Sequence, residues 1–134
     1  MAYVLTSYGE IIDKFTILTI KLEKIQDVNK REHIQQELAV LGPTVNALQP
    51  KENDIPKEND IWSLCQDLQT VNRALWEIED SIRQKERLAQ FDEEFIALAR
   101  SVYIKNDHRA HIKYTLNMLT HSPLVEEKSY QEQA

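Results

Sequence analysis

Ser7-Tyr8-Gly9-Glu10-Ile11-Ile12-Asp13-Lys14-Phe15-Thr16-Ile17-Leu18-Thr19-Ile20-Lys21-Leu22-Glu23-Lys24-Ile25 is the one stretch of the chain that is apolar on nearly every side of a helix. Ile11, Phe15, Leu18, Leu22 and Ile25 recur at steps of four and three, which lays them along one face, while Ile12, Ile17 and Ile20 fall on others. A helix with apolar residues all round belongs in an interior, so the remaining helices are expected to wrap this one. Ser7 followed three residues later by Glu10 reads as a capping box, with the hydroxyl and the carboxylate each satisfying one backbone N–H of the first turn.

Composition agrees with a helical reading. The 134 residues suit a single domain, one that buries roughly two thirds of its unfolded surface. Glycines are scarce and Val-Thr alternation is absent, whereas Leu, Ile, Glu, Gln, Lys and Ala are abundant. A hydrophobic content of 42% with a net charge of -6 describes a globular chain with a heavily charged exterior. Nucleic acid is not an expected partner, because phosphate binding needs clustered positive charge. Cys65 is the single cysteine and has no internal partner, and no basic-then-apolar leader precedes Ser7. Asp13, Lys14 and Lys21 interrupt the best apolar run, well short of the roughly 20 residues of a membrane span. A cytoplasmic location is the expectation.

Outward from the first helix, Ala2 to Thr6 reads as a short apolar arm packed on the bundle. Helix 1 is predicted over about 8–28. Helix 2, about 31–48, carries Ile34, Leu38, Leu41, Val45 and Leu48 in one phase straight through Gly42-Pro43, so one helix kinked at 42–43 is expected rather than two pieces. A polar loop over 49–60 holds a tandem duplication, Pro50-Lys51-Glu52-Asn53-Asp54-Ile55 then Pro56-Lys57-Glu58-Asn59-Asp60-Ile61, tolerated where backbone is exposed and carrying no chemistry. Helix 3, about 61–89 with Asp60 as N-cap, carries Ile61, Leu64, Leu68, Val71, Leu75, Ile78 and Ile82. Helix 4, about 92–120 and opening after Asp92, carries Phe95, Leu98, Ala99, Val102, Ile112, Leu116 and Leu119. A tail over 121–134 has two apolar residues and Tyr130 with which to dock.

The fold expected is an all-α antiparallel four-helix bundle of two hairpins, the helix 3–4 hairpin longer than the helix 1–2 hairpin. An excess of about ten residues projects roughly 15 Å of hairpin beyond its partner. This overhang, Ile82 to Leu98, leaves Leu88, Phe91 and Phe95 uncovered, and a homodimer is the expected way to bury them.

The inward stripe of helix 4 continues from Phe95, Leu98 and Val102 into Asn106, Arg109, Ala110, Lys113 and Asn117, half of it basic or amide. Buried cations demand a negative answer. Pairing the hairpin about Gln90 sets Arg109 level with Asn72, and Asp13, with Glu10, is expected to face Arg109 or Lys113. A second group, Asn72, Trp76, Glu79, Arg83 and Glu86, runs along one flank of helix 3, with Glu79 and Arg83 poised as a pair and Glu77 and Asp80 pointing outward. The candidate binding residues are therefore Glu10, Asp13, Lys14, Asn72, Glu79, Arg83, Asn106, Arg109 and Lys113. Three readings of them stand open: ion pairs tying the helices into register, an anion site on Arg109, Lys113 and Lys14, or a divalent-metal site. The metal reading rests on Glu10-x-x-Asp13 and Glu77-x-x-Asp80, spaced as in all-helical nucleotide pyrophosphohydrolases that hold Mg²⁺, but in a thinner acidic set than those enzymes use.

His33, His108, His111 and His121 show no i, i+4 ligand spacing and read as solvated; Cys65 reads as a small core or boundary residue. Trp62 and Trp76 share a flank of helix 3 and read as packing residues.

The blocks GEIIDKFTIL (Gly9 to Leu18), LWEIEDSIR (Leu75 to Arg83), FIALARSVYIKNDHRAHIK (Phe95 to Lys113) and VEEKSY (Val125 to Tyr130) together resemble an uncharacterised bacterial family of short helical proteins, a domain of unknown function. The resemblance covers nearly the whole chain and implies a setting beside surface-polysaccharide glycosyltransferases, with no activity attached. The duplicated loop and Gly42-Pro43 depart from it.

Two functions follow as expectations. The first is a non-enzymatic, dimeric interaction or accessory protein near cell-surface glycan synthesis, with no cofactor. The alternative is a phosphate-, nucleotide- or nucleotide-sugar-binding enzyme built on Asp13, Lys14, Asn106, Arg109 and Lys113, with Mg²⁺ entering under that alternative alone.

Overall fold

The computed structural model describes residues 2–48 and 60–128 and contains four helices in chain order, α1 (Tyr8–Lys24), α2 (Val28–Leu48), α3 (Ile61–Arg87) and α4 (Glu93–Leu119). The duplicated loop and the expected docking of Tyr130 lie outside the described residues, save Asp60, which caps α3. The chain forms the expected helical bundle, and its α3–α4 hairpin is the longer, at 27 residues a helix against 17 and 21.

Side-chain caps mark the starts: Ser7 Oγ accepts from Glu10 N at 3.2 Å, Asp60 Oδ1 from Ser63 N at 2.8 Å, and Asp92 Oδ1 from Phe95 N at 3.0 Å. The expected end of helix 1 at 28 is too late, because Asp27 is taken as the cap of α2. Its Oδ1 accepts from Lys30 N at 2.9 Å, and Arg31 reaches back to the carbonyls of Leu22 and Ile25 at the end of α1. Both ends of that turn are closed by side chains, so α1 stops at Lys24 and α2 starts three residues early.

Helix α2 runs unbroken through Pro43, as one helix rather than two. Gly42 has no Cβ to meet the proline ring, which relieves part of the usual conflict before proline, and Ala39, whose carbonyl loses its donor, is exposed to water.

Helix α1 packs against each of the other three, whereas α2 packs substantially on α1 alone. The core joins Ile12 to Leu64, Leu68, Val71, Ile112 and Leu116, and Cys65 packs at its margin. The buried residues of α1 are Gly9, Ile12, Asp13, Thr16, Leu18 and Ile20; of the expected Ile11-Phe15-Leu18-Leu22-Ile25 face only Leu18 is fully buried, and the other four are half-buried. Ala99 and Leu119, expected inside, are exposed. The arm before Ser7 does not pack as expected: Tyr3, Val4 and Leu5 are 83–92% exposed, whereas Ser7 and Ser122 at the N-terminus of α1 are buried.

Asp13 and Lys24 meet Asn72 and Glu77, ascending α3 together, while Gly9 and Asp13 meet Asn117 and Arg109, descending α4. Helix α1 is thus parallel to α3 and antiparallel to α4. Beyond the level of Lys24, no residue of the hairpin over 82–98 is buried. Its turn is closed by Ala89 in the left-handed region at φ 53°, by Gln90 N donating to Lys85 O at 2.9 Å, and by Lys85 reaching Asp92 and Glu94 at 3.0 and 3.1 Å.

Candidate functional site

One carboxylate joins three helices. Asp13, on α1, is 3% exposed at its side chain. It is gripped by Arg109 of α4 through a fork, Nε to Oδ1 at 3.0 Å and Nη2 to Oδ2 at 2.5 Å. Asn72 of α3 donates to the same Oδ1 at 2.9 Å and to Thr16 Oγ1 at 2.8 Å, and Thr16 in turn donates to the Asp13 carbonyl at 2.8 Å. Lys113 lies one turn further along α4, 3.9 Å from Asp13 Oδ2, and pairs with Glu10 and, at 2.9 Å, with Glu126 of the C-terminal segment. Lys128 completes the row on Glu126 at 2.7 Å. Three cations meet three carboxylates, and among the described residues no buried side-chain polar atom lacks a partner.

The site is possible because α1 and α4 approach closely at its lower end. Gly9 N donates to Asn117 Oδ1 at 2.7 Å, and a Cβ on Gly9 would stand 2.7 Å from the Lys113 carbonyl oxygen and 2.9 Å from Asn117 Oδ1. Tyr8 N contacts Ser122 Oγ at 3.4 Å, tying the tail to the same end.

These contacts shift the ionisation of the cluster. The Asp13 carboxylate holds the Arg109 guanidinium above its ordinary range against the opposing effect of burial. For Lys113 burial is the largest single influence and acts downward, yet Glu10, Glu126 and Asp13 together outweigh it and raise the ammonium. Glu126 is held down to about 2 from 4.5 by Lys128 first, then by Lys113. Because its folded value lies below its unfolded one, Glu126 contributes stability that is complete above pH 4.5 and is lost as pH falls toward about 2. Melting temperatures across that window should fall less steeply for Glu126→Gln than for the parent chain; equal slopes would remove Glu126 from the account.

Of the residues expected from sequence, Glu10, Asp13, Asn72, Asn106, Arg109 and Lys113 come together, Asn106 through a 3.4 Å contact with Arg109 Nη1. Lys14 does not join them. It is 60% exposed on the side of α1 that faces α2 and pairs with Glu37 at 3.2 Å, because one residue past Asp13 the helix has turned by about 100°. The capping box is half made, since the Glu10 carboxylate turns to Lys113. Glu79 and Arg83 pair at 3.8 Å on the exposed flank of α3 and lie in a separate groove, a cavity of about 540 Å³ bordered at its foot by Arg109 and Asn72. Asp80, expected to point outward, lines that groove, whereas Glu77 reaches across to Lys24 of α1 at 2.8 Å. Trp62 is 41% exposed and Trp76 half-buried in the groove wall. The four histidines are exposed.

Gly9, Thr16, Asn117 and Glu126 were not among the expected site residues. Asn117 lies on the same stripe as Arg109 and Lys113 and Glu126 in the VEEKSY block, but nothing local in the sequence distinguishes Gly9 as a close approach or Thr16 as a hydrogen-bond relay. Among the described residues no group of three or more His, Cys, Asp or Glu side chains is placed to hold a metal ion, and no helix is long and apolar enough to cross a membrane.

Fold and site together define an all-α four-helix protein whose first helix is locked to the third and fourth by a partly buried, charge-balanced layer centred on Asp13. The chain belongs to DUF6165, a family of unknown function, whose model matches residues 2–134. Comparison with curated proteins and with solved structures gives no match.

Proposed function

We propose that the protein is a helical interaction module that pairs with a second copy of itself through the free end of the α3–α4 hairpin. The observation that carries this reading is the bare tip, where Leu88, Phe91 and Ile96 are 57%, 58% and 54% exposed, and Phe91 meets Phe95 edge to face at 5.3 Å. Its charges suit a two-fold contact. Lys85 is spent on Asp92 and Glu94 within the hairpin, but Arg87 ends α3 and Glu93 opens α4, so a copy turned end over end sets these two charges against their opposites. The charge-balanced layer supports the same reading from the other side, since its cations are already answered. Light scattering at micromolar concentration should give the mass of two chains, and Leu88→Ser with Phe91→Ser the mass of one. A single-chain mass for the parent protein overturns the proposal. The bacterial setting beside cell-surface glycan synthesis is what the sequence resemblance implies, and its test is co-purification with a glycosyltransferase encoded nearby; a cytoplasmic location is the expectation from the lone cysteine.

A second reading, a phosphate- or nucleotide-sugar-binding enzyme assisted by Mg²⁺, is favoured by a cleft of about 210 Å³ lined by Asn106, Arg109, Lys113 and Lys128. It ranks second because an anion there has to compete with Asp13, Glu10 and Glu126. A thermal-shift screen of nucleotides and nucleotide sugars, with and without Mg²⁺, decides it: a binder at a hundred times its Kd adds about 2.7 kcal/mol of stability, and no shift with any of them removes the reading.

A further inference from the structure

A groove between α1 and α3 lies above the Asp13 layer. Its volume of about 540 Å³ falls within the usual range for small-molecule pockets. Ile17 and Ile20 of α1 form one wall, and Leu75 and Trp76 of α3 the other. Polar groups sit at its two ends and differ in character. At the foot, the Arg109 guanidinium is occupied by the Asp13 carboxylate and Asn72 by Asp13 and Thr16, so that end is neutral and its donors are engaged. At the rim, Glu79 and Asp80 follow Trp76 by three and four residues, which places both carboxylates one turn beyond the indole on the same helix face. Asp80 has no hydrogen-bond or ion-pair partner among the described residues, and Glu79 is held only by Arg83, at 3.8 Å and with both side chains largely exposed. Such a surface pair is broken at little cost.

We infer that this groove binds an amphiphilic organic cation, an ammonium group carried on an apolar body. The ammonium lies over the face of Trp76 between Glu79 and Asp80, where the ring's electrons and the two carboxylates both favour positive charge. Arg83 swings outward to admit it. The body fills the space between Ile17, Ile20 and Leu75. An anion of the same shape finds two carboxylates at the rim against the single Arg83, and an arginine at the foot that is already neutralised.

The chain has two tryptophans, so Trp62→Phe leaves Trp76 as the sole indole reporter. Titrating this variant with phenethylammonium should change its emission saturably, while 3-phenylpropionate, of similar size and opposite charge, should not. Adding Glu79→Gln and Asp80→Asn, both at exposed positions, should weaken phenethylammonium binding roughly tenfold or more, equivalent to about 1.4 kcal/mol. No saturable response to the cation at millimolar concentration, equal binding of the anion, or affinity unchanged by the two amide substitutions each overturns the inference.

Discussion

Replacing Asp13 by alanine is expected to lower the stability of the chain by about 3 kcal/mol, the lower end of what breaking one side of a buried pair costs, because Arg109 keeps some access to water. For a domain of this size such a loss corresponds to a melting temperature about 10 °C lower. The variant leaves the Arg109 guanidinium with no acceptor from α1 and takes from the Asn72 amide one of its two acceptors there, Thr16 Oγ1 being the other. Asp13→Asn, which keeps the shape and one acceptor but loses the charge, should fall between. Thermal and urea denaturation of the two variants checks the order; a loss below about 1 kcal/mol for Asp13→Ala would match an exposed pair instead.

Gly9→Ala should cost about 2 kcal/mol, although alanine is the better helix former. In the first turn the gain in propensity is well under the roughly 1 kcal/mol seen in helix interiors. Against it stands a methyl group 2.7 Å from the Lys113 carbonyl oxygen, a backbone atom that moves only if α4 moves, and 2.9 Å from the Asn117 Oδ1 that accepts from Gly9 N. Overpacking of this kind costs typically 1–3 kcal/mol. Separating α1 from α4 also lengthens the Gly9 to Asn117 hydrogen bond and the Lys113 contacts, so the effect should spread to Glu126 and the tail. Hydrogen exchange at the N-terminal turn of α1 and the C-terminal turn of α4 should both quicken in this variant; unchanged exchange with unchanged stability would show that the helices have room to spare.

The helix count, the caps at Ser7, Asp60 and Asp92, and the meeting of Asp13, Asn72 and Arg109 were legible in the sequence for one reason. Periodicity fixes which residues share a face, and the closure of a short hairpin then fixes which residues share a level. Two helices crossing at close range leave no such trace. Gly9 reads as an ordinary residue in a capped first turn until α4 is laid against it. Lys14 fails for a related reason: its type matched the anion reading, but its angle on the helix did not. The tail was beyond reach of pattern reasoning, since Glu126 follows a helix end and its approach to Lys113 depends on His121, in the left-handed region at φ 53°, turning the chain back. The apolar arm misled because burial was inferred from residue type with no surface identified to receive it.

The account depends on the Asp13–Arg109 fork being a structural tie between α1 and α4. A double-mutant cycle on Asp13→Ala and Arg109→Ala, read as unfolding free energies, tests this most directly. It should give a coupling of about 2 kcal/mol, with the double variant no less stable than Asp13→Ala alone, because the stranded guanidinium is gone. Losses that add within about 0.5 kcal/mol would contradict it.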